Sequence, residues 1–228
     1  MRQAFQVDMD LCPPTKSETR PLSRSSHELV MWVGMLELNY VGEWQPVPVS
    51  RSTAQSAFLI HQGLQQRVVV NIGHSNDDGL SISEISAVRV GRCQLVDVHD
   101  HPVSQPAATV AAATRQKTTS PALPHGGDAS EDMNLHILSS QCDTSDTNHL
   151  HKWHVRAIAF FDTSSHQDSP LLTQPSPHGH YVRLQLEVAA VADDCHSPIT
   201  LATTIHLKVY SRNASIPRHL ATGEGTAW

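Results

Sequence analysis

Three His-x-His pairs, His99/His101, His149/His151 and His178/His180, come nearest to a chemical signal in a chain that holds 16 histidines. On extended backbone, residues two apart point to the same side, so each pair offers two imidazoles to one Zn²⁺ or Cu²⁺. A third ligand would be needed, and His154, Asp97 and Asp100 are available. All three pairs fall in or beside expected loops, however, and a histidine-rich composition generates such pairs without a metal. No metal ligand, cofactor-binding residue or catalytic residue is therefore assigned.

The remaining chemistry is thinner. Asp77-Asp78 and Asp193-Asp194 are adjacent carboxylates in expected turns, where calcium-dependent membrane-binding sandwiches gather Ca²⁺. Two such pairs supply few oxygens, and Asp in a turn is explained by hydrogen bonding to its own backbone. No Gly-x-Ser-x-Gly elbow occurs, and Cys195-His196 sets its two side chains on adjacent residues, which diverge. Cys12, Cys93, Cys142 and Cys195 form no Cys-x-x-Cys pair, which argues against a zinc ribbon or a thioredoxin-type site and fits reduced cytosolic thiols. Trp32, Trp44 and Trp153 lie on or beside expected strands, as core or edge anchors or as the lining of an aromatic peptide groove.

Strands have to position all of these groups. Leu29 to Leu38 alternates apolar and polar residues, Asn39 to Gly42 supplies turn chemistry, and Trp44 to Val49 returns as an irregular strand because Pro46 and Pro48 donate nothing to a ladder. Further strands are expected at Ala57 to Ile60 and Arg67 to Ile72, and from Ile82 to Val98 with a bulge at Gly91. Val155 to Phe161 follows. Tyr181 to Val191 and Leu201 to Tyr210 then form an antiparallel hairpin with one buried face, carrying Val182, Leu184, Leu186 and Val188 against Leu201, Ile205, Leu207 and Val209. No convincing helix appears, so the expected fold is all-β: an antiparallel β-sandwich, C2-like or Ig-like, with a long disordered insert.

Composition sets the domain plan. Residues 1–28 contain Pro13-Pro14 and Pro21 and read as a flexible lead-in, 29–98 and 153–212 as the sandwich, and 213–228 as a flexible tail. Residues 99–152, built of Ala, Thr, Ser, Pro and Gln, read as a disordered low-complexity insert. A net charge of -6 and the absence of any Lys/Arg cluster give no general attraction to phosphate backbones. Nucleic acid is not an expected partner, and no apolar run is long enough to span a bilayer.

Trp32-Val33-Gly34-Met35-Leu36-Glu37-Leu38-Asn39, Gly42-Glu43, Pro46-Val47, Phe58, Gln62-Gly63 and Gln65 to Val70, followed by Ile85, Val88, Val90-Gly91 and Cys93, resemble a non-motor tail region of the kinesin-3 family. Ser169 to Leu172, Tyr181 to Val188 and Ile205 to Pro217 look like its later strands. The Ser211-Arg212-Asn213-Ala214-Ser215-Ile216-Pro217 ending is most similar to the long-tailed, guanylate-kinase-associated branch. His61 departs from the pattern, where the family tends to have a basic residue, and residues 99–152 have no counterpart.

The resemblance implies a non-catalytic cargo-binding or regulatory module in microtubule-based vesicle transport, cytoplasmic and cytoskeleton-associated. Its implied partners are cargo adaptors, scaffold proteins and the motor or stalk of the same molecule. Microtubules are reached only through a motor domain absent from this chain, and membranes only indirectly. Kinesin ATP hydrolysis needs a Gly-x-x-x-x-Gly-Lys-Ser/Thr loop, and no Gly-Lys pair occurs here, so no ATPase and no cofactor are expected. A C2-like lipid-binding module and a His-coordinated metalloprotein are the alternatives.

Overall fold

Every second residue from Val182 to Val188 is fully buried, and so are Leu207, Ile205 and Leu201, the partners of Val182, Leu184 and Val188 across the hairpin. This strict alternation marks a sheet with one face on a core. A computed structural model describes residues 1–10, 24–50, 56–74, 81–103, 132–142, 152–166, 168–193 and 197–216. They form β1 (Arg2–Asp10), β2 (Arg24–Leu38), β3 (Trp44–Pro46), β4 (Val49–Ser50), β5 (Ala57–His61), β6 (Gln66–His74), β7 (Ile82–Val96), β8 (Met133–Asn134), β9 (His136–Cys142), β10 (Lys152–Phe161), a five-residue helix α1 (Ser169–Thr173), β11 (Tyr181–Ala192) and β12 (Ile199–Tyr210).

Two six-stranded sheets face each other. One has the order β1-β2-β6-β10-β9 with β3 added to β2, and the other β4-β5-β12-β11-β7-β8. Leu29, Met31, Val33 and Met35 of β2, Val68, Val70 and Ile72 of β6 and Val155, Ala157, Ala159 and Phe161 of β10 meet the hairpin's inner face in a single core. Each such side chain contributes about 1.5–3 kcal/mol when fully buried. The expected all-β sandwich is thus the observed one. Its second sheet is mixed, because β5 runs parallel to β12 while the other ladders among the described residues are antiparallel.

Local chemistry explains the irregular points. In β7 the register against β11 shifts between Cys93 and Val90, so Gly91 lies in a bulge as expected. A Cβ on Gly91 would come within 3.2 Å of Asp132 Oδ1 and 3.4 Å of Gln185 Cβ, so a larger residue there would require the Asp132 side chain to shift slightly. At β3 the prolines at 46 and 48 blunt an edge that would otherwise offer backbone donors.

Three expected boundaries are corrected. The lead-in is not uniformly flexible: β1 pairs with β2 over nine residues, from Arg2↔Trp32 to Asp10↔Arg24, and Phe5 packs against the core. The sequence of β1 carries a period-2 signal, Phe5, Val7 and Met9 alternating with Gln6, Asp8 and Asp10, which the prolines at 13, 14 and 21 outweigh in a reading of 1–28 as one segment. The insert is ordered at 132–142. Met133–Asn134 pair with Arg89–Val90, the Leu135 N–H donates to Val88 O at 2.8 Å, and β9 crosses over to pair with β10. Leu135, between β8 and β9, is buried in the core. Where no helix was expected, α1 lies between β10 and β11, and its Leu172 is also buried in the core. Residues 104–131 of the insert and 217–228 of the expected tail lie outside the described residues.

Candidate interaction groove

The turn between β2 and β3 is built by Asn39. Its side-chain oxygen accepts the N–H of Val41 at 3.0 Å and of Glu43 at 2.8 Å, and Gly42 takes a φ of 86°. An Asx turn of this kind fixes the backbone without help from the core. It thrusts Tyr40 and Val41 into solvent, 98% and 60% exposed. Beside this tip lies a groove of about 1050 Å³, between the turn, residues 63–65 and residues 212–216. Its floor includes Glu37 and His61.

Glu37 and His61 face each other because β2 and β5 end at the same end of the sandwich. The Glu37 carboxylate accepts three hydrogen bonds: the His61 backbone N–H at 2.7 Å, the His61 ring Nδ1 at 2.7 Å and the Gln66 amide at 3.1 Å. The other ring nitrogen, Nε2, lies 3.0 Å from Ala214 O, tying the segment after β12 to the floor. On the outward face of the same sheet the Arg67 guanidinium stacks 3.8 Å from the Trp44 ring centroid, a cation–π contact that holds the edge strand down. Trp44 is therefore an edge anchor, one of the roles expected of it.

Among the described residues, the histidines of two of the pairs have local partners. His99 and His101 are exposed, their ring centroids 6.0 Å apart and tilted. Asp97 Oδ1 accepts the backbone N–H of both, at 2.8 and 2.9 Å, so this carboxylate caps a turn, and these bonds hold its pKa below the usual range. Asp100, in left-handed backbone with φ 66°, meets His206 Nε2 at 3.1 Å and Arg183 at 3.3 Å. Burial pulls its carboxyl upward, but His206 and Arg183 outweigh this and hold it low. His180 Nδ1 turns to the carbonyl of His178 at 2.8 Å, so that pair does not open toward a shared ion. Asp193 donates its N–H to Ser81 O in a turn. His149/His151, Asp77-Asp78, Asp194 and Cys195-His196 lie outside the described residues, as do the side chains of Trp153 and His154.

One cluster has no signal in the sequence spacing. Cys93, His166 and Asp168 bring ligand-type atoms within 4.8 Å of one another, 73 and 75 residues apart along the chain. Its hydrogen bonds are already internal: His166 Nε2 donates to Gly91 O at 3.0 Å, His166 Nδ1 accepts the Asp168 N–H at 3.0 Å, and Asp168 Oδ2 accepts the Cys93 N–H at 2.8 Å. The Cys93 sulfur is nearly equidistant from the two ring nitrogens, 3.8 and 3.9 Å, so it is not in line with the lone pair of either. Burial, and then the Asp168 charge, push the thiol far above its ordinary pKa, so in this arrangement it is neutral. The cluster is a latch that pins the loop before α1 onto the β7 bulge.

Alkylation tests this assignment. At neutral pH the exposed Cys142 should react with iodoacetamide while Cys93 stays unmodified, at least about 100-fold slower until denaturant is added. Peptide mass spectrometry reads the two sites separately, and comparable rates would refute a buried neutral thiol.

Comparisons with known proteins identify the family. Residues 43–214 match the family DUF3694, described as "Kinesin protein". The chain is 27% identical over 211 residues to human kinesin-like protein KIF1B, covering 90% of this chain and 10% of that protein. It is 24% identical over 198 residues to kinesin-like protein unc-104 of Caenorhabditis elegans, covering 85% of the chain and 10% of the relative. It is 23% identical over 223 residues to rat kinesin-like protein KIF1A, covering 90% and 11%. The chain thus spans about a tenth of the length of the curated relatives it matches. The matched family segment takes in the β2–β3 turn from Glu43, the groove floor at His61 and the clasped carbonyl of Ala214.

Proposed function

Since this chain belongs to the kinesin family DUF3694, we propose that it is a non-catalytic tail domain of a kinesin-3-type motor that binds protein partners through the groove beside Tyr40. The observation that carries this reading is the tip itself. An aromatic residue exposed at 98% on a turn braced by Asn39 offers a large contact area already held in place, the kind of anchor that dominates protein interfaces. The adjoining groove is polar at its floor and lined by Pro46, Val47, Leu64 and Ile216 on its walls, an arrangement suited to an extended peptide or the end of a helix.

The partners in this reading are cargo adaptors, membrane scaffold proteins or the stalk and motor of the same molecule, in microtubule-based vesicle transport in the cytoplasm. ATP hydrolysis belongs to a motor domain elsewhere, since no Gly-Lys pair of a phosphate-binding loop occurs in the chain. Among the described residues no helix is long and apolar enough to cross a membrane. Placement in the guanylate-kinase-associated branch rests on the Ser211-to-Pro217 ending.

Co-precipitation of the domain with stalk fragments and scaffold proteins tests the reading. Binding at micromolar concentration, weakened about tenfold or more by Tyr40→Ala, is the expected result. Absence of any partner at that concentration would count against it. Sedimentation with anionic vesicles, with and without Ca²⁺, would instead support a lipid-binding module.

A further inference from the structure

We propose that His61 is a proton-operated clasp, which holds residues 212–216 against the end of the sandwich while its imidazole is charged and releases them when the ring is neutral. The inference is independent of which partner, if any, occupies the groove.

The geometry carries the argument. His61 Nδ1 faces a Glu37 carboxylate oxygen at 2.7 Å, and Nε2 faces the Ala214 carbonyl oxygen at 3.0 Å. Both neighbours are acceptors only. A neutral imidazole has one N–H and one lone pair, so it can donate to one of them and must set its lone pair against the other. Only the imidazolium donates to both.

On loss of the proton the Glu37 contact is the one retained. The carboxylate is fixed by the His61 backbone N–H and by Gln66, and a hydrogen bond to an ionised acceptor outweighs one to a carbonyl. The Nε2 lone pair then meets the lone pairs of Ala214 O, and the segment loses its one side-chain tether among the described residues. Its remaining internal bond, Ala214 N–H to Ser211 O at 2.9 Å, lies within the segment's own turn and does not hold it to the sheet.

The other charged and titratable groups around His61 set the balance. Glu37 from β2 favours the charged ring, Arg212 from the segment itself lines the same groove and opposes it, and Tyr210 of β12 lies beside His61 in the parallel ladder. Burial, and then Tyr181, push the Tyr210 phenol up, so it stays neutral where imidazoles titrate. The sign follows: the clasp is closed at low pH and opens as pH rises through the imidazole titration, turning a groove walled by 212–216 into an open trough.

Long-range ¹H–¹⁵N NMR of the histidine rings, with amide exchange at Ala214, tests this on the whole chain. At about pH 5.5 both His61 nitrogens should carry protons, and Ala214 exchange, corrected for intrinsic rates, should be roughly tenfold slower than at about pH 8.5. His61→Gln should remove the pH dependence. Glu37→Gln, which removes the fixed charge that Nδ1 faces, should weaken the pH dependence, while His206→Gln, which breaks the separate pair with Asp100, should leave the wild-type pattern. A His61 ring that holds a lone pair on Nδ1 or Nε2 at the low pH would overturn the proposal. So would equal Ala214 protection at both pH values, or a pH dependence that survives His61→Gln. The ring spectra and wild-type exchange decide the matter even if a variant fails to fold.

Discussion

Phe161→Ala should lower the free energy of unfolding by about 3–5 kcal/mol. Phe161 is the last residue of β10, 1% exposed, and points into the core between the two sheets. Truncation removes the transfer energy of the ring and leaves a cavity that strands paired on both sides cannot collapse into. Against a total stability of about 5–15 kcal/mol for a domain, that loss leaves the fold marginal. Urea unfolding followed by far-ultraviolet circular dichroism reads it directly, with Phe161→Leu expected to cost much less. A loss below about 1 kcal/mol would mean that the ring is not packed as described.

The second large effect concerns the groove floor. Glu37→Ala should destabilise by about 3 kcal/mol, because a buried charge partner is removed and three donors are left unanswered at once. The Glu37 and His61 side chains are only 12% and 19% exposed, so water replaces the lost acceptor poorly. Glu37→Gln keeps an oxygen in place and should cost about half as much or less. The two variants together separate loss of shape from loss of charge. Equal stabilities for wild type and Glu37→Ala in denaturant titration would show that the network is solvent-compensated.

How much of this was legible beforehand differs from element to element. The β11–β12 hairpin and the inner face of β6 followed from alternation alone, since a half-buried strand writes its burial into every second residue. The bulge at Gly91 was legible for a related reason: glycine inside a β-branched run signals an interruption. β8 and β9 were not legible. Their residues are mostly polar, and they are ordered by ladders to strands already formed, β7 and β10.

The candidate site shows the same division more sharply. His-x-His spacing drew notice to His99/His101 and His178/His180, yet these sit on turns where Asp97 and a carbonyl occupy their neighbours. The histidine engaged in a paired network beside the groove, His61, lies outside any short motif, 24 residues from Glu37 and 153 from Ala214.

By itself, the sequence determined the strand alternation, the blunted edge at Pro46 and Pro48, the turn at Asn39 to Gly42 and the kinesin resemblance, because each is written in residues within a few positions of one another. Tertiary structure alone decided which polar groups meet: Glu37 with His61, and Cys93 with His166 and Asp168. Those meetings depend on strand order and register between distant segments, which no local spacing encodes.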